Sequence, residues 1–290
     1  MSQGYEALRA GAALLNLSAR ARVLVRGRDR ARLLHNVTSN EIKKLTPGTG
    51  CYAFFLTPQG RIQGDVNVFC FADYFLLDAE PELRDKLPQL VLKYKVADQV
   101  EVQDANESMT AIGIEGPKAA EVLAAAGAPL PAETHGHLKW GASTVARVSI
   151  TGQPGYRIFS PAGEVPPIAG AEPATEEDVR LVRIESGLPR YGEDIRESSL
   201  PQETQQMHAV SFTKGCYLGQ EIVERIRARG RVNRTLERID LATGEVPAPG
   251  TKLMWEGREA EVTSAVYSPA QGKVIALAYV RAGSSHPQAG

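Results

Sequence analysis

The chain has 290 residues, 43% of them hydrophobic and 23% charged, with a formal net charge of −1. That is the composition of an ordinary soluble globular protein of about two or three domains, and no global field draws nucleic acid or a membrane surface to it. No apolar run approaches the ~18 residues of a membrane span, and Cys51, Cys70 and Cys216 are too widely spaced for a disulfide framework or a Cys-x-x-Cys metal or cluster site.

The first thirty residues lack a basic start followed by an apolar core and a small-residue cleavage site, and Glu6 and Asp29 argue against a transit peptide. A reducing cytoplasm is the expected home. Residues 22–26 alternate like a short strand, Gly27 ends it, and Asp29 can cap a helix through about Asn36. Residues 51–79 read as strands with turns at Pro58-Gln59-Gly60 and Ala72-Asp73. In the middle strand Ile62, Gly64, Val66, Val68 and Cys70 share one face; Gln63, Asp65 and Asn67 begin the other, ahead of Phe69 and Phe71. A helix pattern covers 81–93. Strand, glycine turn and helix return over 109–126, a weak echo of the first such unit about ninety residues earlier. Residues 143–160 read as a hairpin around Thr151-Gly152-Gln153-Pro154-Gly155, 161–173 as a surface connection, and Thr175 or Glu176 opens a helix to Gly187. After Arg231, short alternating bursts between Gly and Pro pairs (235–282) predict a small all-β module, a barrel, with a loose tail beyond Arg281.

Residues 214–221, Lys-Gly-Cys-Tyr-Leu-Gly-Gln-Glu, pack a cation, a thiol, a phenol, an amide and a carboxylate ahead of a helix pattern. A thiol placed so, two residues from a lysine, can have a lowered pKa, and Gly215 and Gly219 permit backbone angles and close approaches that side chains block. His135-Gly136-His137 lacks further ligands nearby for a metal site, and Gly48-x-Gly50 lacks the rest of a dinucleotide or phosphate-loop pattern. Six arginines lie between Arg225 and Arg238, with Glu224 and Glu237 beside them. They form a local basic strip that could meet a polyglutamate tail, an acidic partner or RNA phosphates, without an RNA-binding fold signature.

In order along the chain come Leu33-Leu34-His35-Asn36-Val37-Thr38-Ser39-Asn40, Gly60-Arg61-Ile62-Gln63-Gly64-Asp65 and Thr151 to Tyr156. Arg183 to Asp194, Leu200-Pro201-Gln202-Glu203 and Lys214 to Glu221, continued through Arg234, complete the series. It resembles the folate-binding YgfZ family, related in fold to the glycine cleavage T-protein and to mitochondrial iron–sulfur assembly factors. The resemblance spans nearly the whole chain; the Lys-Gly-Cys-Tyr-x-Gly-Gln-Glu signature is its specific part, and the other segments recur in the wider superfamily. It implies an α+β, T-protein-like ring of two ferredoxin-like α/β parts and a C-terminal β-barrel around a central cavity that holds tetrahydrofolate. The corresponding division is 1–52 plus 146–230, 53–145 and 231–290.

The resemblance also implies site roles. Glu185 would grip the amino-pyrimidine edge of the pterin through paired hydrogen bonds. Asp65 matches the T-protein aspartate beside the reacting folate nitrogens, with Gly64 in place of the second acidic residue common there. Tyr156, Tyr191 and Asn36 would line or support the cavity. Cys216 would be a reactive or cluster-facing thiol near its mouth, tuned by Lys214, with Gly215, Tyr217, Gly219, Gln220, Glu221 and Arg225 shaping its surroundings. One thiol cannot hold a cluster alone, so an iron–sulfur client protein would share it. The expected function is a tetrahydrofolate-binding protein supporting iron–sulfur cluster assembly or repair, and through it tRNA modification. The rivals are an aminomethyltransferase of glycine cleavage and a non-enzymatic module binding RNA or a cluster protein.

Overall fold

The computed structural model describes residues 1–230, 232–242 and 244–283. Arg231 and the tail from 284 on, both part of the sequence reading, lie outside the described residues. In chain order the elements are α1 (Gln3–Ala10), β1 (Ala13–Asn16), β2 (Ala21–Arg26), α2 (Arg30–Val37), β3 (Gly50–Leu56), β4 (Ile62–Cys70), β5 (Tyr74–Ala79), α3 (Leu87–Leu92), β6 (Glu101–Asp104), β7 (Met109–Glu115) and α4 (Ala119–Ala125). There follow β8 (His137–Trp140), β9 (Ser143–Ala146), β10 (Gly155–Pro161), β11 (Glu172–Pro173), α5 (Glu176–Glu185), α6 (Gln220–Arg229), β12 (Arg234–Leu241), β13 (Lys252–Trp255), β14 (Arg258–Ser268) and β15 (Lys273–Arg281).

Two sheets carry the site. One runs β3-β4-β5-β2-β6 and the other β11-β1-β7-β10-β9-β8. Period-two alternation gives each strand an inner and an outer face. On β5, Phe75, Leu77 and Ala79 join the core beneath α2 and α3, while Leu76 faces the second sheet and packs with Phe159 of β10. On β10, Tyr156 and Ile158 join a third core with Ala119 and Leu123 of α4. Arg157, between them, therefore points the opposite way, back at β5. The sheets divide the chain differently from the sequence-based partition: β2 and β3 lie with 62–104, and β7–β9 lie with β1 and β10.

Two expectations are corrected here. The helix over 81–93 is a 3-10 turn at Pro81–Leu83 followed by the short α3, in which proline stands at a first-turn position. Pro88 lacks the N–H that a continuous helix would need, and it restricts the residue before it. The C-terminal module is a half-barrel-like antiparallel sheet, β12-β15-β14-β13, and not a closed barrel. Four strands are too few to close at ordinary tilt. Pro247 and Pro249, between β12 and β13, lack the N–H groups a further strand would pair.

Gly219 opens α6 with φ +83°, and a Cβ there would lie 2.6 Å from the Thr57 carbonyl oxygen and 3.0 Å from Leu56 Cβ. Gly219→Ala is therefore expected to lose about 2 kcal/mol of unfolding free energy. Urea titration checks this; a loss under about 0.5 kcal/mol would mean that the loop relaxes freely.

Candidate active site

The inner faces of the two sheets, with α5, enclose a cavity of about 1040 Å³, at the upper end of the roughly 300–1,000 Å³ typical of ligand pockets. Asp65 and Asn67 of β4 and Asp78 of β5 line it because they occupy the face of their strands that looks toward β10. Gly64 faces the other way, where an added Cβ would meet Leu83 and Leu90 at 3.0–3.3 Å. A second carboxylate there would point into apolar core, not into the cavity.

Asp65 is buried, and its Oδ2 accepts a 2.6 Å hydrogen bond from the hydroxyl of Tyr52. Burial, and then the charge of Glu80, push its carboxyl up to about 7; the Tyr52 hydrogen bond and Arg20 oppose them without prevailing. Tyr52 in turn stacks on His208, ring centroids 5.3 Å apart. Beside this group lies a buried ionic cluster. Arg20 forks onto Asp78 (Nε to Oδ2 3.1 Å, Nη2 to Oδ2 3.0 Å) and also reaches Glu80. Arg157 reaches Asp78 from the opposite sheet. Burial opposes ionisation of Asp78, but Arg157 and Arg20 outweigh it and hold its carboxyl below the usual range. Arg157 is drawn down by burial to about 10 and stays a cation at neutral pH. Asn67 turns its amide NH₂ toward Asp78 at 3.3 Å, which leaves its carbonyl oxygen to accept from His135 Nε2 at 2.9 Å. Burial and Arg157 pull His135 down to about 4, so it is neutral.

Only Asp65 among the sequence-predicted ligand and catalytic residues reaches the cavity. Along α5, Glu176, Val179, Arg180 and Arg183 line it at helical spacing. Glu185 is two residues beyond Arg183, about 200° round the helix, and points instead at α1 and β14. Its side chain is fully buried, with Oε1 accepting from Tyr5 (2.9 Å) and Ser268 (2.5 Å) and Oε2 paired with Arg9 at 3.3 Å. Tyr156 faces α4 by strand alternation. Tyr191 is held in the first core, its hydroxyl donating to the Gln63 carbonyl at 2.8 Å. Asn36 is exposed, and its carbonyl accepts from Leu218 N at 3.1 Å.

The signature segment is also set apart from the cavity. Cys216 is exposed and lies outside the cavity lining. Lys214 is buried and does not serve that thiol: its ammonium donates to the carbonyls of His35 (2.5 Å), Thr38 (2.7 Å) and Asn40 (2.7 Å), at and just beyond the end of α2. Its charge acts on Cys51 instead, whose thiol burial still pushes up to about 12. Tyr217 lies beneath the Lys214 ammonium, 4.9 Å from nitrogen to ring centre, as part of the first core. Gln220 accepts from Tyr217 N at 3.4 Å, and exposed Glu221 pairs with Arg225 at 2.6 Å. Gly215, unlike Gly219, keeps φ out of the left-handed region and has open space around it. The basic strip is largely neutralised: Arg225 pairs with Glu221, Arg227 with Glu224, Arg234 with Glu203 and Arg238 with Asp240.

The residues that sequence reasoning missed are Tyr52, Asp78, Glu80, Arg20, Arg157 and His208. The signal for the buried charges was present. Asp78 ends an apolar run, Phe75-Leu76-Leu77, and Arg157 interrupts another, Tyr156 to Phe159. A charge inside a strand that is otherwise apolar on both faces calls for a buried partner.

Residues 1–214 match the sequence family described as "GCVT N-terminal domain". The chain belongs to that family. Among curated relatives, it is similar to the aminomethyltransferase of Herpetosiphon aurantiacus, 28% identical over 295 residues covering 97% of this chain and 81% of that one. It is similar also to the aminomethyltransferase of Rubrobacter xylanophilus, 29% identical over 292 residues covering 95% and 78%. The crystal structure of glycine cleavage system aminomethyltransferase T from Bartonella henselae superposes with a TM-score of 0.85 at 21% identity, covering 96% of this chain and 81% of that one. The GCVT-domain chain thus has the mixed α/β fold of a T-protein. No described helix is long and apolar enough to cross a membrane.

Proposed function

We propose that this GCVT-family chain binds a tetrahydrofolate in the central cavity and uses it in one-carbon transfer of the aminomethyltransferase kind, with Asp65 as the acid–base group. The observation that carries this reading is Asp65 itself, a buried cavity carboxylate that changes charge near pH 7. The cavity chemistry suits a pterin: Tyr52 and His208 offer flat faces, and Glu80 offers carboxylate oxygens to an amino-pyrimidine edge. When bound, the folate supplies the nitrogens that carry the one-carbon unit. Asp65 takes up or returns the proton there, Tyr52 orients its carboxyl, and the Arg20–Asp78–Arg157 cluster keeps the wall rigid. The names of the curated relatives support the same reading.

Two measurements test it. Tetrahydrofolate at a hundred times its dissociation constant is expected to stabilise the protein by about 2.7 kcal/mol; an unmoved melting curve at millimolar ligand rejects the binding. Methylene transfer from an aminomethylated lipoyl carrier to the folate is expected in the wild type, and its absence from protein that binds folate rejects the transfer.

A second reading keeps the folate site and makes the chain a YgfZ-type protein that supports iron–sulfur cluster assembly or repair, and through it tRNA modification. One specific observation favours it: the signature Lys214–Glu221 presents Cys216 to solvent, away from the cavity, where a client protein can reach it. The decisive comparison is a Cys216→Ala strain against a deletion strain, assayed for cluster-enzyme activity. Equal defects favour this reading; normal activity in the variant rejects it.

A further inference from the structure

We propose that Lys214 is a positioning residue for the cavity, acting through the loop at 38–40 on the Tyr52–His208 pair that seats Asp65. Three carbonyls hold the ammonium, and they are not all in one turn. Those of His35 and Thr38 belong to the end of α2 and its cap, whereas that of Asn40 lies three residues past the helix. The contact therefore fastens the loop to the helix as well as closing the helix end.

From that loop two side chains reach the cavity wall. Asn40 Nδ2 donates to the Tyr52 carbonyl at 2.8 Å and to the His208 carbonyl at 2.9 Å, bridging strand β3 and the 3-10 turn at Met207–Ala209. Ser39 Oγ donates to the Ala209 carbonyl at 2.6 Å and accepts from Phe54 N at 2.8 Å, a second bridge between the same two segments. The bridged segments carry the stacked rings of Tyr52 and His208, and the Tyr52 hydroxyl is the group on Asp65. The route from Lys214 to Asp65 runs through hydrogen bonds and one ring contact, part-buried on the Tyr52 side and open to solvent at His208. The cation of the signature segment thus faces inward and holds the acid's surroundings, while the neighbouring thiol faces outward.

The inference rests on the proposed role of Asp65, so its test includes a readout in the free protein. The ring-proton NMR signal of His208, assigned by its loss in His208→Gln, reports the stacking on Tyr52; Tyr52→Leu gives the unstacked position. Lys214→Met, which keeps the stem and loses the donors, is expected to move the signal at least halfway to that position. It is also expected to weaken binding of 5-formyl-tetrahydrofolate about tenfold, with Lys214→Arg recovering part of both. Asn40→Ala is expected to do the same with the lysine intact, and the double variant to do no more than either single one. A wild-type His208 signal in a folded Lys214→Met protein, whatever its melting temperature, would overturn the proposal and leave the lysine as a helix cap. Should Lys214→Met not fold, a wild-type signal in Asn40→Ala overturns it equally. A wild type that binds no folate defeats the proposed function, yet leaves the His208 signal to decide the positioning role.

Discussion

Asp65→Asn is expected to abolish one-carbon transfer while leaving the protein folded, and to flatten its stability between pH 4 and pH 7. The amide can still accept from Tyr52, so the local geometry survives, but it cannot exchange a proton. Loss of a general acid–base group costs on the order of 10²–10⁴-fold in rate. The stability effect has a definite sign. The folded carboxyl titrates at about 7 and the unfolded one near 3.8, so the unfolded state releases its proton first as pH rises. Wild-type stability from this group is greatest below pH 4, falls through the window from 4 to 7, and is level above it. The full span is on the order of 4 kcal/mol at 1.36 kcal/mol per unit. Above pH 7 the amide variant should therefore be the more stable protein. Urea unfolding across that pH range, beside the transfer assay, checks both. If the variant keeps the wild-type slope, Asp65 is not the group that titrates; if it keeps the rate, Asp65 is not the acid–base group.

Asp78→Asn should be the more damaging change to the fold. The carboxylate is fully buried, bound by Arg20 from the turn ahead of β2 and by Arg157 from the opposite sheet, and its removal leaves Arg157 with no anion at hydrogen-bond distance among the described residues. Breaking a buried pair by removing one partner costs about 3–5 kcal/mol, on the order of a 10 °C fall in melting temperature for a chain of this size. Replacing Asp78 and Arg157 together by Leu and Met should recover most of that loss, because no cation is then stranded. Calorimetry on the single and double variants decides; a single variant within 1 kcal/mol of wild type would mean that water already serves Arg157.

Much of the fold was legible. Gly27, Gly60 and Gly219 mark turns where strands end or α6 begins, and alternation along 62–70 correctly put Asp65 and Asn67 on one face with Phe69. Pattern alone could not say which face looks at a cavity and which at a partner sheet. Glu185 shows the limit: the helix was readable, but its placement depends on whether the ring of residues at 176, 179, 180 and 183 turns inward, which α1 and the C-terminal sheet decide. Lys214 shows the same limit. Its nearness in sequence to Cys216 suggested a tuned thiol, whereas three distant carbonyls claim the ammonium. The half-barrel was missed because alternating bursts count strands without saying whether the edges meet.

The carboxylate of Glu185 gathers Tyr5 and Arg9 from the start of the chain and Ser268 from near its end, and β1 pairs with β7 some hundred residues later. Contacts of such long sequence separation close late, since each must overcome the entropy of a large loop. Helix α1 packs chiefly on α5, about 170 residues later, so during synthesis its apolar side stays uncovered until α5 has been made, and folding should be slow to complete.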